Sequence, residues 1–219
     1  MRTWFPFTDY DFYAYLTSGG LLLVAIDYSL NQGAILNSDW SFLQIVAAIA
    51  AAYVAGHIIA MFSSVIYEHW LIGSLVKHPI DVQVGLKKQN WFDRYVIGSL
   101  AGRYYRPLSE AHRQEILDAV QAKTGGEPKR EDIFRIGYGA ARRDEDTRQR
   151  LDEFRNMYGF CRNISLSALI SFGFTSLVGN DANSFLLIAS GVVFLAMTFR
   201  YLKFYSSFAM EVVRSINKI

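Results

Sequence analysis

Cysteine is nearly missing from this 219-residue chain: Cys161 stands alone, so no disulfide can form within it. Charge is scarce too, at 19% of residues, where soluble domains usually carry about 25%. Four histidines (His57, His69, His78, His112) share no metal-ligand spacing with Cys161 or with one another, and a structural zinc site needs about four convergent ligands. There is no Gly-rich phosphate loop, no G-x-S-x-G elbow and no H-E-x-x-H helix. The expectation is therefore a non-enzyme without metal, cofactor or catalytic residues. A net charge of +2 is too small to argue for a nucleic-acid partner.

The charge that is missing is missing in blocks. One run extends from about Tyr10 to Leu30 without Lys or Arg, and a longer one from Phe42 to Tyr67 with His57 as its only ionisable group. A third lies between Arg162 and Asp181, and a fourth between Asp181 and Arg200. Roughly 20 apolar residues in a helix cross the hydrocarbon of a bilayer. A helix satisfies its own backbone there, which an isolated strand does not. The expected fold is an all-α membrane protein with four transmembrane helices and a small helical cytoplasmic domain between the second and third. The expected parts are a first hairpin at 1–67, a domain and stalk at 68–161, a second hairpin at 162–202 and an amphipathic tail at 203–219. Asp9 and Asp11 spoil the basic start of a cleavable signal, and no small-x-small site follows, so the first helix is read as retained.

Orientation follows from the cations. The short connections Asn31–Ser41 and Gly179–Ser184 hold no Lys or Arg, and all 22 such residues fall on the other side. The positive-inside rule puts that side, with both termini, in the cytoplasm. Trp4, Trp40 and Trp70 flank spans as interfacial anchors do.

Sixteen basic and fourteen acidic residues are mixed from Glu68 to Phe160, as on solvated, salt-bridged helices. Phe92, Tyr95, Val96, Ser99 and Leu100 predict an aromatic amphipathic helix from about Trp91 to Tyr105. It either packs in the domain or lies on the inner leaflet, with Arg94, Arg103 and Arg106 on phosphates. Ser109 after Pro107 opens a helix that Gly125-Gly126 ends, and another begins near Pro128 with Ile133, Phe134, Ile136 and Tyr138 inward. From Asp144 the chain reads as one helix into the third span, with Gly159 its only weak point. Arg142, Arg143, Arg148 and Arg150 are the candidate contacts for an anionic ligand or a partner. In the tail, Tyr205, Phe208, Ala209, Val212, Val213 and Ile216 share one apolar face. That face either continues the fourth span or pairs with another subunit's tail.

Within the spans, Ala48, Ala52, Gly56, Ala60 and Ser64 recur every four residues, a small-residue ridge for close helix packing within or between subunits. Asn163, Ser167, Ser171 and Thr175 form a second stripe at the same spacing. His57, Ser63, Ser64, Glu68, Asn163, Ser167 and Ser171 make a candidate intramembrane polar path. The plainer reading of the same residues is interhelical hydrogen bonding.

Three stretches carry a family likeness. Tyr10 to Leu16 followed by Gly19-Gly20 resembles the "YDFFGYLxPG" start of a group of uncharacterised bacterial membrane proteins. Gly56-His57 with Ser63-Ser64 and Glu68 is similar to "GHxxSxxSSxxxE", and Phe154 to Ala168 to "FxxLYxFxRNLSLAxL". Thr17-Ser18 stands where that family has proline. The resemblance implies four-helix architecture and bacterial origin rather than a chemistry.

These features point to an oligomeric sensor or effector of the bacterial inner membrane, possessing a soluble cytoplasmic partner. A signal-gated pore in antiviral defence or stress response is its concrete form. The alternative is a non-catalytic scaffold that recruits that partner. A membrane enzyme acting on lipid headgroups near Glu68, His69 and His78 has suitable residue types but no recognisable motif.

Overall fold

The computed structural model describes residues 12–30, 35, 39–91, 93–100, 105–178 and 184–218. All regular structure among the described residues is helical. The expectations placed on Trp4, Asp9, Tyr10, Asp11, Phe92, Arg103 and Asp181 lie outside them.

Helix α1 covers Phe12–Leu16 in wide π turns and then Thr17–Ser29. Helix α2 covers Phe42–Ser64 and runs on through Val65–Leu75 in π turns. Short α3 is Pro79–Val84, and α4 joins Asp93–Ile97 to Gly98–Leu100. Then come α5 at Glu110–Thr124, α6 at Arg130–Ala141, α7 at Glu145–Val178 and α8 at Ser184–Arg214 with a closing 3₁₀ turn, Ser215–Lys218. Phe42–Val84, Glu145–Val178 and Ser184–Asn217 are long and apolar enough to cross a membrane. The expected first span corresponds to α1, whose described part is shorter and ends beyond Asp27.

Contacts divide the chain into two units, one of residues 1–67 and 159–198, the other of 68–158 and 199–219. In the first unit, large apolar side chains point outward: Leu177 is 88% and Phe185 81% exposed. Water would penalise so much apolar surface, and a hydrocarbon solvent would not. Inside, α1 and α2 meet at glycines. A Cβ on Gly19 would overlap the Ala52 carbonyl, and one on Gly56 the Tyr15 carbonyl. Ala52 and Gly56, the centre of the small-residue ridge, are thus covered by α1 of the same chain, while Ala48, Ala60 and Ser64 are half-buried.

The second unit buries apolar clusters of its own. Among the described residues, Ile80, Val84, Ile116, Val120, Ile133, Ala209, Val213 and Ile216 form one core cluster, and Ala141, Leu151, Phe208 and Val212 another. Full burial of one such side chain stabilises by roughly 1.5–3 kcal/mol. The apolar face of the tail therefore packs into its own chain, as the end of α8. Ser109 opens α5, although its hydroxyl bonds His112 Nδ1 at 3.0 Å instead of a backbone N–H. Gly125 closes α5 in the left-handed conformation, φ +71°, which a side chain would strain.

Of the two placements expected for α4, packing in the domain would bury Tyr95 and Ser99, but both are exposed, Tyr95 at 60%, and Asp93 and Ile97 are buried in their place. The π turns change the period, and a reciprocal cap pins the entry. Asn90 Oδ1 accepts from the Asp93 N–H at 2.7 Å, and Asp93 Oδ2 from the Asn90 N–H at 3.4 Å. Burial pushes the Asp93 carboxyl above the usual carboxylate range, although hydrogen bonds from the Asn90 and Lys77 N–H groups oppose the shift.

Candidate functional site

The polar side chains of the apolar unit form a hydrogen-bonded seam. Ser63 donates to Asn163 Oδ1 at 2.7 Å and accepts from Arg162 Nε at 3.1 Å. Ser167 donates to the Ser18 carbonyl at 3.0 Å, Ser171 to the Ser167 carbonyl at 2.8 Å, and the Ser29 and Thr175 hydroxyls meet at 3.0 Å. Tyr67 donates to Ser165 Oγ at 2.6 Å, and Ser165 in turn to the Phe194 carbonyl at 2.9 Å. Asn163, Ser167, Ser171 and Thr175 are all buried. The stripe on α7 thus faces both α1 and α2. Ser18, Ser29 and Tyr67 complete it, and the spacing within α7 alone did not reveal them.

Not every residue of the expected path joins this seam. Ser64 bonds its own helix at the Met61 carbonyl, 2.9 Å away. His57 is exposed at the α1–α2 crossing, with its ring stacked 4.0 Å from that of Tyr15 and edge-on to Tyr53 at 4.5 Å. Glu68 lies in the second unit.

There Glu68 has company. A cleft of about 580 Å³ is lined by Glu68, His69, His78, Arg130, Glu131 and Tyr205, with Ile72, Ile80 and Phe134 as its apolar wall. Four segments build it. The π-turned end of α2 supplies Glu68 and His69, the N-cap of α3 supplies His78, the first turn of α6 supplies Arg130 and Glu131, and α8 supplies Tyr205. Pro79 at the first helical position makes His78 a cap, and the Ile80 N–H donates to its Nδ1 at 3.2 Å.

That bond dictates the tautomer. Burial, and then the nearby Arg130 guanidinium, push the His78 imidazole down to about 4, so it is neutral at pH 7. With Nδ1 accepting, the proton resides on Nε2, which donates to Tyr205 Oη 2.9 Å away. Burial likewise pushes the Tyr205 phenol up, so it keeps its own proton. With its oxygen accepting from His78, the Tyr205 O–H keeps its proton to donate, and among the described residues no acceptor takes it. Arg130 contacts the Asp81 carboxylate at 3.6 Å and that of Glu131 at 3.1 Å, leaving part of its five-donor fork for a ligand. The cleft offers fixed donors beside carboxylates.

The four arginines singled out from the sequence separate. Arg142 and Arg148 line a cleft of about 220 Å³ with Tyr138, Asp152 and Arg155. Arg142 lies over the Tyr138 ring, Arg148 pairs with Glu145 at 2.6 Å, and Arg155 with Asp152 at 3.0 Å. Arg150 turns away to Glu211 at 2.8 Å, and Arg143 is exposed outside the cleft. Among the described residues no group of three or more His, Cys, Asp or Glu could hold a metal ion.

The fold and these sites define an all-helical chain with three helices able to span a membrane and a polar helical unit carrying a ligand-sized cleft. Comparison with protein-family models, curated proteins and solved structures finds no match to any of them.

Proposed function

We propose that the protein is an oligomeric sensor or effector of the bacterial inner membrane, with four spans and cytoplasmic termini. A signal or soluble partner acts on its cytoplasmic domain, and α7 and α8 carry the change into the bilayer. One observation carries this reading: both helices run unbroken from one unit into the other. Phe208, Val212 and Val213 of α8 are core residues of the polar unit, so repacking that core displaces a helix whose other half is apolar. Such coupling needs a ligand that binds the two states unequally.

In its pore form, serving antiviral defence or a stress response, the permeation path runs between copies. Ser63, Asn163, Ser167 and Ser171 are engaged inside one chain, and α1 covers the centre of the α2 ridge. Copies therefore meet through other, outward apolar faces. The test is inducible expression with a membrane-potential dye, beside sizing in detergent. Ion flux from a discrete oligomer supports the reading. A strict monomer that never depolarises cells overturns it.

The scaffold reading is favoured by one feature, the exposed aromatic edge of α4, where Trp91 is 70% and Tyr95 60% exposed with Arg94 over the Tyr95 ring. A stable soluble partner captured without any permeability change supports it.

A further inference from the structure

The cleft between the end of α2 and the start of α6 holds both signs of charge: Arg130 and Glu131 stand side by side on α6, paired at 3.1 Å, and Glu68 comes from the end of α2. Arg130 and the free Tyr205 O–H are donors suited to phosphate oxygens, whereas Glu68 and Glu131 are acceptors suited to an ammonium. A simple anion would meet two carboxylates, and a simple cation would meet Arg130. A zwitterion carrying phosphate and ammonium together satisfies both.

We propose that this cleft binds a phosphoethanolamine diester, with its phosphate on Arg130 and Tyr205 and its ammonium toward Glu68 and Glu131. The apolar wall of Ile72, Ile80 and Phe134 covers the intervening methylenes. The volume, about 580 Å³, lies within the usual span of small-ligand sites, about 300–1,000 Å³. His78 is a positioning residue: held neutral between the Ile80 N–H and Tyr205, it orients the phenol without adding charge.

Two sources offer this chemistry, a phospholipid headgroup and a free diester. The lipid is favoured because Glu68 and His69 directly follow the apolar run of α2, and Trp70 beside them is 65% exposed, as interfacial tryptophans are. That preference rests on the membrane reading above; the cleft chemistry does not.

The test uses the full chain in non-ionic detergent, titrated with dihexanoyl phosphatidylethanolamine, phosphatidylcholine, phosphatidylglycerol and tail-free glycerophosphoethanolamine, and followed by tryptophan fluorescence. Phosphatidylethanolamine should bind about tenfold more tightly than phosphatidylcholine, whose quaternary ammonium donates no hydrogen bond. Tyr205→Phe and Arg130→Gln should each weaken it about tenfold, and Glu68→Gln should weaken it while sparing phosphatidylglycerol. Tyr205→Phe removes one oxygen, so it keeps the test alive if Arg130→Gln unfolds. Equal binding of the ethanolamine and choline lipids, or unchanged binding by Tyr205→Phe, overturns the site. Glycerophosphoethanolamine binding as tightly as the lipid supports the site and overturns the membrane source. None of these readouts depends on ion flux, so the sensor reading stands or falls separately.

Discussion

Gly19 and Gly56 let two backbones touch: the Ala52 carbonyl occupies the space of a Gly19 Cβ, and the Tyr15 carbonyl that of a Gly56 Cβ. Because the obstacles are backbone atoms, no rotamer change relieves them. Gly19→Ala or Gly56→Ala should destabilise the helix pair by about 2 kcal/mol or more, in the range of other overpacking changes. Gly20, one residue away, has nothing within 4 Å of an added Cβ. Gly20→Ala should be neutral or mildly stabilising. Thermal unfolding in detergent compares the three, and equal midpoints would contradict the close crossing.

The polar unit has an analogous contact. A Cβ on Gly137 of α6 would overlap the Val212 carbonyl of α8. Gly137→Ala should loosen the hold of α6 on α8, whereas Gly139→Ala, which meets nothing, should not. Hydrogen exchange of the α8 amides near Val212 measures the difference, with faster exchange expected only in Gly137→Ala.

Asp81 is 2% exposed and faces Lys87 at 3.3 Å and Arg130 at 3.6 Å. Its cations are themselves partly exposed, so solvent weakens both pairs. Asp81→Ala should cost roughly 1–2 kcal/mol, since it frees cations that water accepts instead of stranding a buried charge. Chemical denaturation reads this directly. A loss above about 4 kcal/mol would mean that the pairs are more shielded than the structure has them.

His78 makes stability depend on pH. Its folded value, about 4, lies below the ordinary 6.5. Between those values the unfolded chain binds the extra proton, so stability rises with pH through the window and is lost as pH falls from 6.5 toward 4. The full effect is at most about 3 kcal/mol. His78→Asn keeps a side-chain acceptor at the cap and should flatten the pH dependence in this window. An unchanged slope would show that His78 titrates normally.

Much of the layout was legible because hydrocarbon and turn chemistry leave local signatures. Three of the four charge-poor runs, the unbroken helix from Glu145 to Val178 and the Gly125 stop of α5 each depend on neighbouring residues, and each appears in the structure. The cleft was not legible as a unit. Glu68, His69 and His78 drew notice by type, but Arg130 and Tyr205 come from distant segments and no short-range pattern links them. The inward face of α4 was missed because π turns break the period on which such a reading relies. The ridge on α2 was visible as a spacing, but its partner, Gly19 on α1, needed three dimensions.

A sensor of cytoplasmic signals needs the polar unit in the cytoplasm, and reporter fusions test that placement most directly. Alkaline phosphatase joined after residue 110 or at the C-terminus should be inactive, and green fluorescent protein at the same points should fluoresce. Active phosphatase at either point would put the cleft, the arginines and the tail outside the cell and contradict the account.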